Sequence, residues 1–168
     1  MAAGLVVRLA EPCEYDAVGE LTVAAYRGDG FLSGDIDYVG SLRDAASRAK
    51  HADLLVALPD EATHAHPAGT VTFCRPGSRY AELSVDGEAE FRMLAVDSQY
   101  RGRGVGETLV RACADRARND GCRRLVCCSR PDMYAAHRLY ERLGFVRAPE
   151  LDWQPVPDFD LLGYTLEL

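Results

Sequence analysis

The sequence predicts an α/β fold in which helices flank a mixed central sheet, and three observations carry that prediction. Strand-like and helix-like patterns run β-α-α-β-β-β-α-β-α-β-β, an order that suits an α/β sandwich and not a doubly wound parallel sheet. An apolar strand ending Leu94-Ala95-Val96 runs through Asp97 to Arg101 into Gly102-Arg103-Gly104-Val105-Gly106 and then into a helix. A second amphipathic helix, over 132–143, is closed by Gly144. At 168 residues the chain is long enough for one domain with a proper core, so a single domain over 1–168 is expected.

Each element has its own signal. Leu5 to Arg8 reads as the first strand; Glu11-Pro12 then opens a helix with Ala17, Leu21, Ala24 and Ala25 on one side, stopping near Gly28. A flexible, partly apolar loop over 28–34 leads to a second helical stretch from about Asp37 to Ala49. Ala52 to Leu58 is a buried strand, Pro59 to Pro67 a polar loop, and Ala68 to Arg75 a strand followed by a Pro76-Gly77 turn. Glu88 to Asp97 is the strand that feeds the glycine-rich junction. From Gly104 to Asn119, Val105, Leu109, Ala112 and Cys113 form one buried stripe, with Arg111 and Arg118 facing away. Gly121 ends that helix, Arg123 to Ser129 is a buried strand, and Phe145 to Leu151 and Leu161 to Leu168 supply two late strands.

Composition narrows the class. Met1 to Arg8 is too short and too quickly charged for a signal peptide, and no long apolar run suggests a membrane span. Cys127 and Cys128 are strand neighbours pointing to opposite faces, and no cysteine pair has C-x-x-C spacing. The six cysteines therefore read as reduced core residues of a cytoplasmic protein, with no metal site; His64 and His66 read as loop residues. A net charge of -7 disfavours nucleic acid as a partner. Its distribution is uneven: residues 101–147 hold eleven arginines and five acids, whereas the remainder carries a charge of -13. The positive segment contains the glycine junction, which suits an anionic ligand.

A strand-glycine-helix junction is built to hold an anion, because glycine permits close backbone approach and the first helical amides lack partners. A P-loop would need Lys and then Ser or Thr after the last glycine, but Gly106 is followed by Glu107 and Thr108, and the one lysine is Lys50. A dinucleotide fingerprint from Gly102 would need glycine at 107 and an acid near 126, where glutamate and valine stand.

What remains, Arg101-x-x-Gly104-x-Gly106 after a strand, resembles the pyrophosphate-binding motif of the GNAT N-acetyltransferase superfamily. Ala136-His137-Arg138-Leu139-Tyr140-Glu141-Arg142-Leu143-Gly144-Phe145 is similar to the family's Ala-x-x-Leu-Tyr-x-x-Leu-Gly-Phe block. The two blocks stand in the family's order, which is more specific than either alone.

The resemblance implies a mostly antiparallel sheet with strands splayed at the CoA site, and acetyl-CoA as co-substrate. It implies transfer of an acetyl group to the primary amine of an unidentified small-molecule or peptide acceptor, by direct attack in a ternary complex. Leu94, Ala95 and Val96 would hold the pantetheine arm through main-chain atoms. Arg101, Gly102, Arg103, Gly104, Val105 and Gly106 would supply amides and charge to the diphosphate, with Thr108, Met133 and Ala136 completing the donor site. Met133 stands where many members carry an asparagine that contacts the arm. Tyr140 is the expected acid for the departing thiolate: a free phenol titrates at about 10 and a thiol at about 8.5. Glu90 is the expected base through water, with Glu88 as the alternative. The stretch after the first helix would cover the acceptor. A non-catalytic CoA-binding sensor, or an acyltransferase using another acyl-CoA, fits the same blocks, and the family allows a homodimer.

Overall fold

The computed structural model describes residues 4–32, 36–59 and 66–168, with backbone alone at 36 and 37. Ser33 and Gly34 of the expected loop, and His64, lie outside the described residues. The elements run β1 (Leu5–Leu9), α1 (Tyr15–Gly28), α2 (Ile36–Arg43), α3 (Ala45–His51), β2 (Asp53–Pro59), β3 (Gly69–Cys74), β4 (Glu88–Val96), α4 (Val105–Asn119), β5 (Arg124–Ser129), α5 (Tyr134–Arg142), β6 (Val146–Arg147), β7 (Trp153–Val156) and β8 (Phe159–Glu167). The sheet order is β1-β2-β3-β4-β5-β8-β6, with β7 also paired to β8. Every pairing is antiparallel except β4 with β5. This is the mixed, mostly antiparallel sandwich the sequence predicts.

Helices cover both faces of the sheet. On one, α4 and α5 pack Val105, Leu109, Cys113 and Tyr140 onto Val71, Phe73, Ala89 and Phe91 of β3 and β4. On the other, Val23 of α1 and Leu42 of α2 meet Met93 of β4, while Val18 and Ala45 pack on Leu54, Val56 and Leu58 of β2. The crossing of α1 with α2 is so close that a Cβ on Gly19 would collide with the carbonyl oxygen of Arg43. A fully buried arginine, Arg48 of α3, crosses this second layer and donates to the Leu42 carbonyl (2.7 Å), Thr72 (3.2 Å) and Thr22 (3.3 Å).

Three elements differ from the sequence reading, which places no strand at β7 (Trp153–Val156), a partner of β8. The single helix expected over 37–49 is two, because Asp44 leaves helical geometry (φ -78°, ψ 68°) and its carboxylate accepts from the Ser47 amide to cap α3. The strand expected over 145–151 shrinks to Val146–Arg147, because Pro149 starts a 3-10 turn that ends the pairing with β8.

Candidate active site

The glycine junction has the geometry of an amide cradle. After β4, Asp97 accepts from the Gln99 amide (2.9 Å) and a 3-10 turn over Ser98–Tyr100 redirects the chain. Gly102 (φ 72°) and Gly104 (φ 78°) both adopt left-handed backbone, and Gly104 is the N-cap of α4. Val105 is buried, so it offers only its main chain to a ligand, and a Cβ on Gly106 would stand 3.3 Å from Leu139, which presses α4 onto α5. Thr108 donates its hydroxyl to the Gly104 carbonyl (2.9 Å).

The charges around the junction are largely committed. Glu107 turns to Arg111 (2.9 Å) and Arg142 (3.4 Å), whose guanidinium groups hold its carboxyl below the usual range. Arg101 forms a two-pronged ion pair with Asp29 at the end of α1 (2.7 and 3.1 Å). Arg103 lies over the Tyr100 ring (5.6 Å) and has no ion pair among the described residues.

Between this junction and α5 the sheet opens. β4 pairs with β5 only from Glu88↔Arg124 to Glu90↔Val126. Register against β3 steps from Thr72↔Arg92 to Thr70↔Ala95, so β4 carries one extra residue, and Met93 takes a left-handed φ of 54° there. β4 and β5 part beyond Glu90, and past the bulge Leu94, Ala95 and Val96 keep an edge facing β5 with no further pairing to it among the described residues.

The two faces of the opening differ chemically. On the α5 face, Tyr140 is 5% exposed, ringed by Phe91, Phe145 and Tyr164 at 5.5–5.7 Å. Burial pushes its phenol well above the ordinary value, so it stays protonated. Ala136 packs partly buried against the same core, and Met133 is the N-cap of α5.

On the α1 face, Glu90 is fully buried; Oε2 accepts from the amides of Glu82 (2.8 Å), Leu83 (2.9 Å) and Ser84 (3.3 Å), whereas Oε1 has no partner among the described residues. Glu88 faces Arg123 (3.6 Å) and Arg124 (3.7 Å). Arg92 donates to the Tyr80 carbonyl (3.0 Å) and pairs with Glu82 (3.2 Å), whose carboxyl is raised by burial. Burial also pushes the Cys128 thiol up to about 11, with Trp153 of β7 beside it. The phenol of Tyr38, raised by burial, lies close enough to Arg92, Cys128 and Glu82 to respond to their charges.

Asp29, Glu82, Arg92 and Arg130 escape sequence reasoning. Their roles depend on contacts such as Asp29 with Arg101, 72 residues apart, for which no local pattern exists.

Comparison with known proteins agrees with this geometry. The model of the Acetyltransferase (GNAT) family matches residues 16–145. N-alpha-acetyltransferase 30 of Schizosaccharomyces pombe is 41% identical over 74 residues, 44% of this chain and 49% of that protein. N-acetylaspartate synthetase of Danio rerio is 35% identical over 80 residues, 48% of this chain and 27% of that protein. The matches thus span half or less of these relatives' lengths. The fold of yncA from Salmonella typhimurium, solved with its cofactor acetyl-CoA, superposes with a TM-score of 0.65 at 21% identity, covering 99% of this chain and 95% of the other. With the family model matched over most of its length, and with glycine junction, splayed strands and buried tyrosine in one opening, the chain belongs to the GNAT acetyltransferase family.

Proposed function

We propose that this chain transfers an acetyl group from acetyl-CoA to the primary amine of an acceptor, in a ternary complex without a covalent enzyme intermediate. The observation that carries the reading is the divergence of β4 from β5 beyond Glu90, between a left-handed glycine junction on one side and a buried phenol on the other. The acetyl-CoA bound to yncA, and the acetyl-transfer names of the relatives, support the donor. The six free cysteines suit a reducing cytoplasm.

In this reading the diphosphate meets the amides of residues 101–106 and the charge of Arg103, and the pantetheine arm pairs with the free edge of Leu94 to Val96. Thr108, Met133 and Ala136 border the same path. The neutral amine attacks the thioester carbon, the C–S bond breaks, and the thiolate takes the proton of Tyr140. Desolvation raises the basicity of that thiolate as it raises the phenol, which keeps the transfer feasible. The nitrogen loses its proton to a water held by Oε1 of Glu90, the oxygen without a partner among the described residues, and that proton restores Tyr140.

Thiol release from acetyl-CoA with amino acids, polyamines, aminoglycosides and peptide N-termini tests the activity. Turnover with at least one class is expected. Tight acetyl-CoA binding with no turnover by any of them would identify a sensor instead.

A further inference from the structure

The opening between β4 and β5 has a donor face and an opposite face. The glycine junction and α4 belong to the first; the second is bounded by Tyr38 of α2, by Trp153 of β7, and by Arg92 and Cys128 of the parted strands. Across the end of that second face runs one side chain. Arg130 follows the last residue of β5, two positions beyond Cys128 and hence on the same side of the strand.

Its guanidinium lies between two rings, 5.2 Å from the centroid of Phe31 and 5.3 Å from that of Phe159. Phe31 belongs to the segment leaving α1, where its amide donates to the Tyr26 carbonyl (2.9 Å) and its ring meets Tyr26 edge-on. Tyr26 in turn meets Tyr38 of the wall. Phe159 opens β8, just past the turn from β7, the other wall. Asp132 fixes the guanidinium with two bonds (3.0 and 2.9 Å), and a third goes to the Phe31 carbonyl (3.1 Å). Ring, guanidinium and ring are in contact, so no main chain fits between the α1 end and the β7–β8 hairpin without displacing Arg130. Displacement would break an ion pair, a carbonyl bond and two cation–π contacts together.

We propose that Arg130 closes the acceptor side of the cleft and makes the enzyme select small free amines over the N-termini of polypeptides. This rests on the transferase reading above. Arg130 is a specificity-determining residue: it touches neither donor nor thiolate. A short amine enters beneath it, whereas a polypeptide must leave the cleft along the path it occupies.

The test compares kcat/KM for free amino acids, diamines and aminoglycosides with that for unstructured peptides bearing free N-termini, in the wild type, Arg130→Ala and Phe159→Ala. The wild type is expected to favour its best free amine by at least about tenfold, and each substitution to reduce that preference about tenfold. The ratio is the readout because a fraction of misfolded enzyme lowers both values equally. Phe159→Ala leaves the Arg130–Asp132 pair intact and serves if Arg130→Ala does not fold. A wild type that acetylates peptides as well as free amines, or a preference unchanged in both variants, overturns the proposal. Acetyl-CoA binding without thiol release for any amine overturns the transferase reading, and this inference with it.

Discussion

In the proposed transfer, Tyr140 serves packing and chemistry with different atoms. Its ring fills the space among Phe91, Phe145 and Tyr164, and its hydroxyl is what a phenylalanine would lack. Tyr140→Phe is therefore expected to change thermal stability little, leave acetyl-CoA affinity near wild type, and lower kcat about a hundredfold. Isothermal titration beside steady-state kinetics separates these quantities, and an unchanged kcat would remove the tyrosine from the mechanism. Gly104 makes the complementary case in the backbone. Its φ of 78° is left-handed, where a Cβ costs about 1–2 kcal/mol. Gly104→Ala should lose about that much stability in denaturant melts and bind acetyl-CoA more weakly, since relaxing the strain turns the first α4 amides. The structural places of both residues, a helix start and a buried helix face, were legible in the sequence because their signals are local: a glycine spacing and a helix block. Asp29 was not, since an aspartate after a helix looks the same whether or not an arginine reaches it.

Between elements, ion pairs decide what the apolar layers leave open. Asp53 at the start of β2 receives Arg75 from the end of β3 (2.9 Å) and Arg116 from α4 (3.0 Å), and Arg75 also reaches Asp120 (2.8 Å). Asp53→Asn leaves two cations without their shared carboxylate and should cost about 1–2 kcal/mol, the range between an exposed pair and a charged hydrogen bond. Chemical denaturation reads this directly, and a variant as stable as wild type would mean the network is only a solvated surface feature. At the other end of the sheet, Asp152 binds Arg147 through both oxygens and accepts from the Gly163 amide (2.7 Å), fastening β6 to β8. The hydrogen bond from Arg147 holds its carboxyl below the usual range. A depressed carboxyl stabilises the fold above its unfolded pKa, and that contribution disappears as pH falls through the folded value. Asp152→Asn should accordingly flatten the acid limb of melting temperature against pH below the ordinary carboxylate range, and run parallel to wild type above it. Element boundaries were least legible where one residue's own chemistry overrides periodicity: the Asp44 carboxylate splits a helix whose apolar spacing runs on, and the Pro149 ring cuts short a strand whose composition suits pairing.

For the whole molecule, the uneven charge in the sequence has a different meaning once folded. Among the described residues, nine of the eleven arginines in 101–147 are ion-paired, several to acids from the negative remainder: Asp29, Asp53, Glu88, Asp152 and Glu167. The polarity seen along the chain is thus largely spent on ion pairs, and of the two arginines without one among the described residues, Arg103 stands in the glycine junction. Linear charge counts could not foresee the pairs with Asp29, Asp53, Glu88 and Glu167, because those acids lie far off in sequence. In the proposed reading, donor recognition would rest mainly on fixed backbone amides, which salt screens little at contact distance, with the guanidinium of Arg103, unpaired among the described residues, added. Acetyl-CoA affinity should weaken only about threefold between low and high salt. Arg103→Ala should weaken binding at low salt and flatten the remaining salt dependence, whereas Asp29→Asn, by releasing Arg101, should tighten binding at low salt and steepen it. Titrations of the three proteins across ionic strength distinguish this from a diffuse positive field, under which Arg103→Ala would bind nearly as wild type and every variant would share one steep slope.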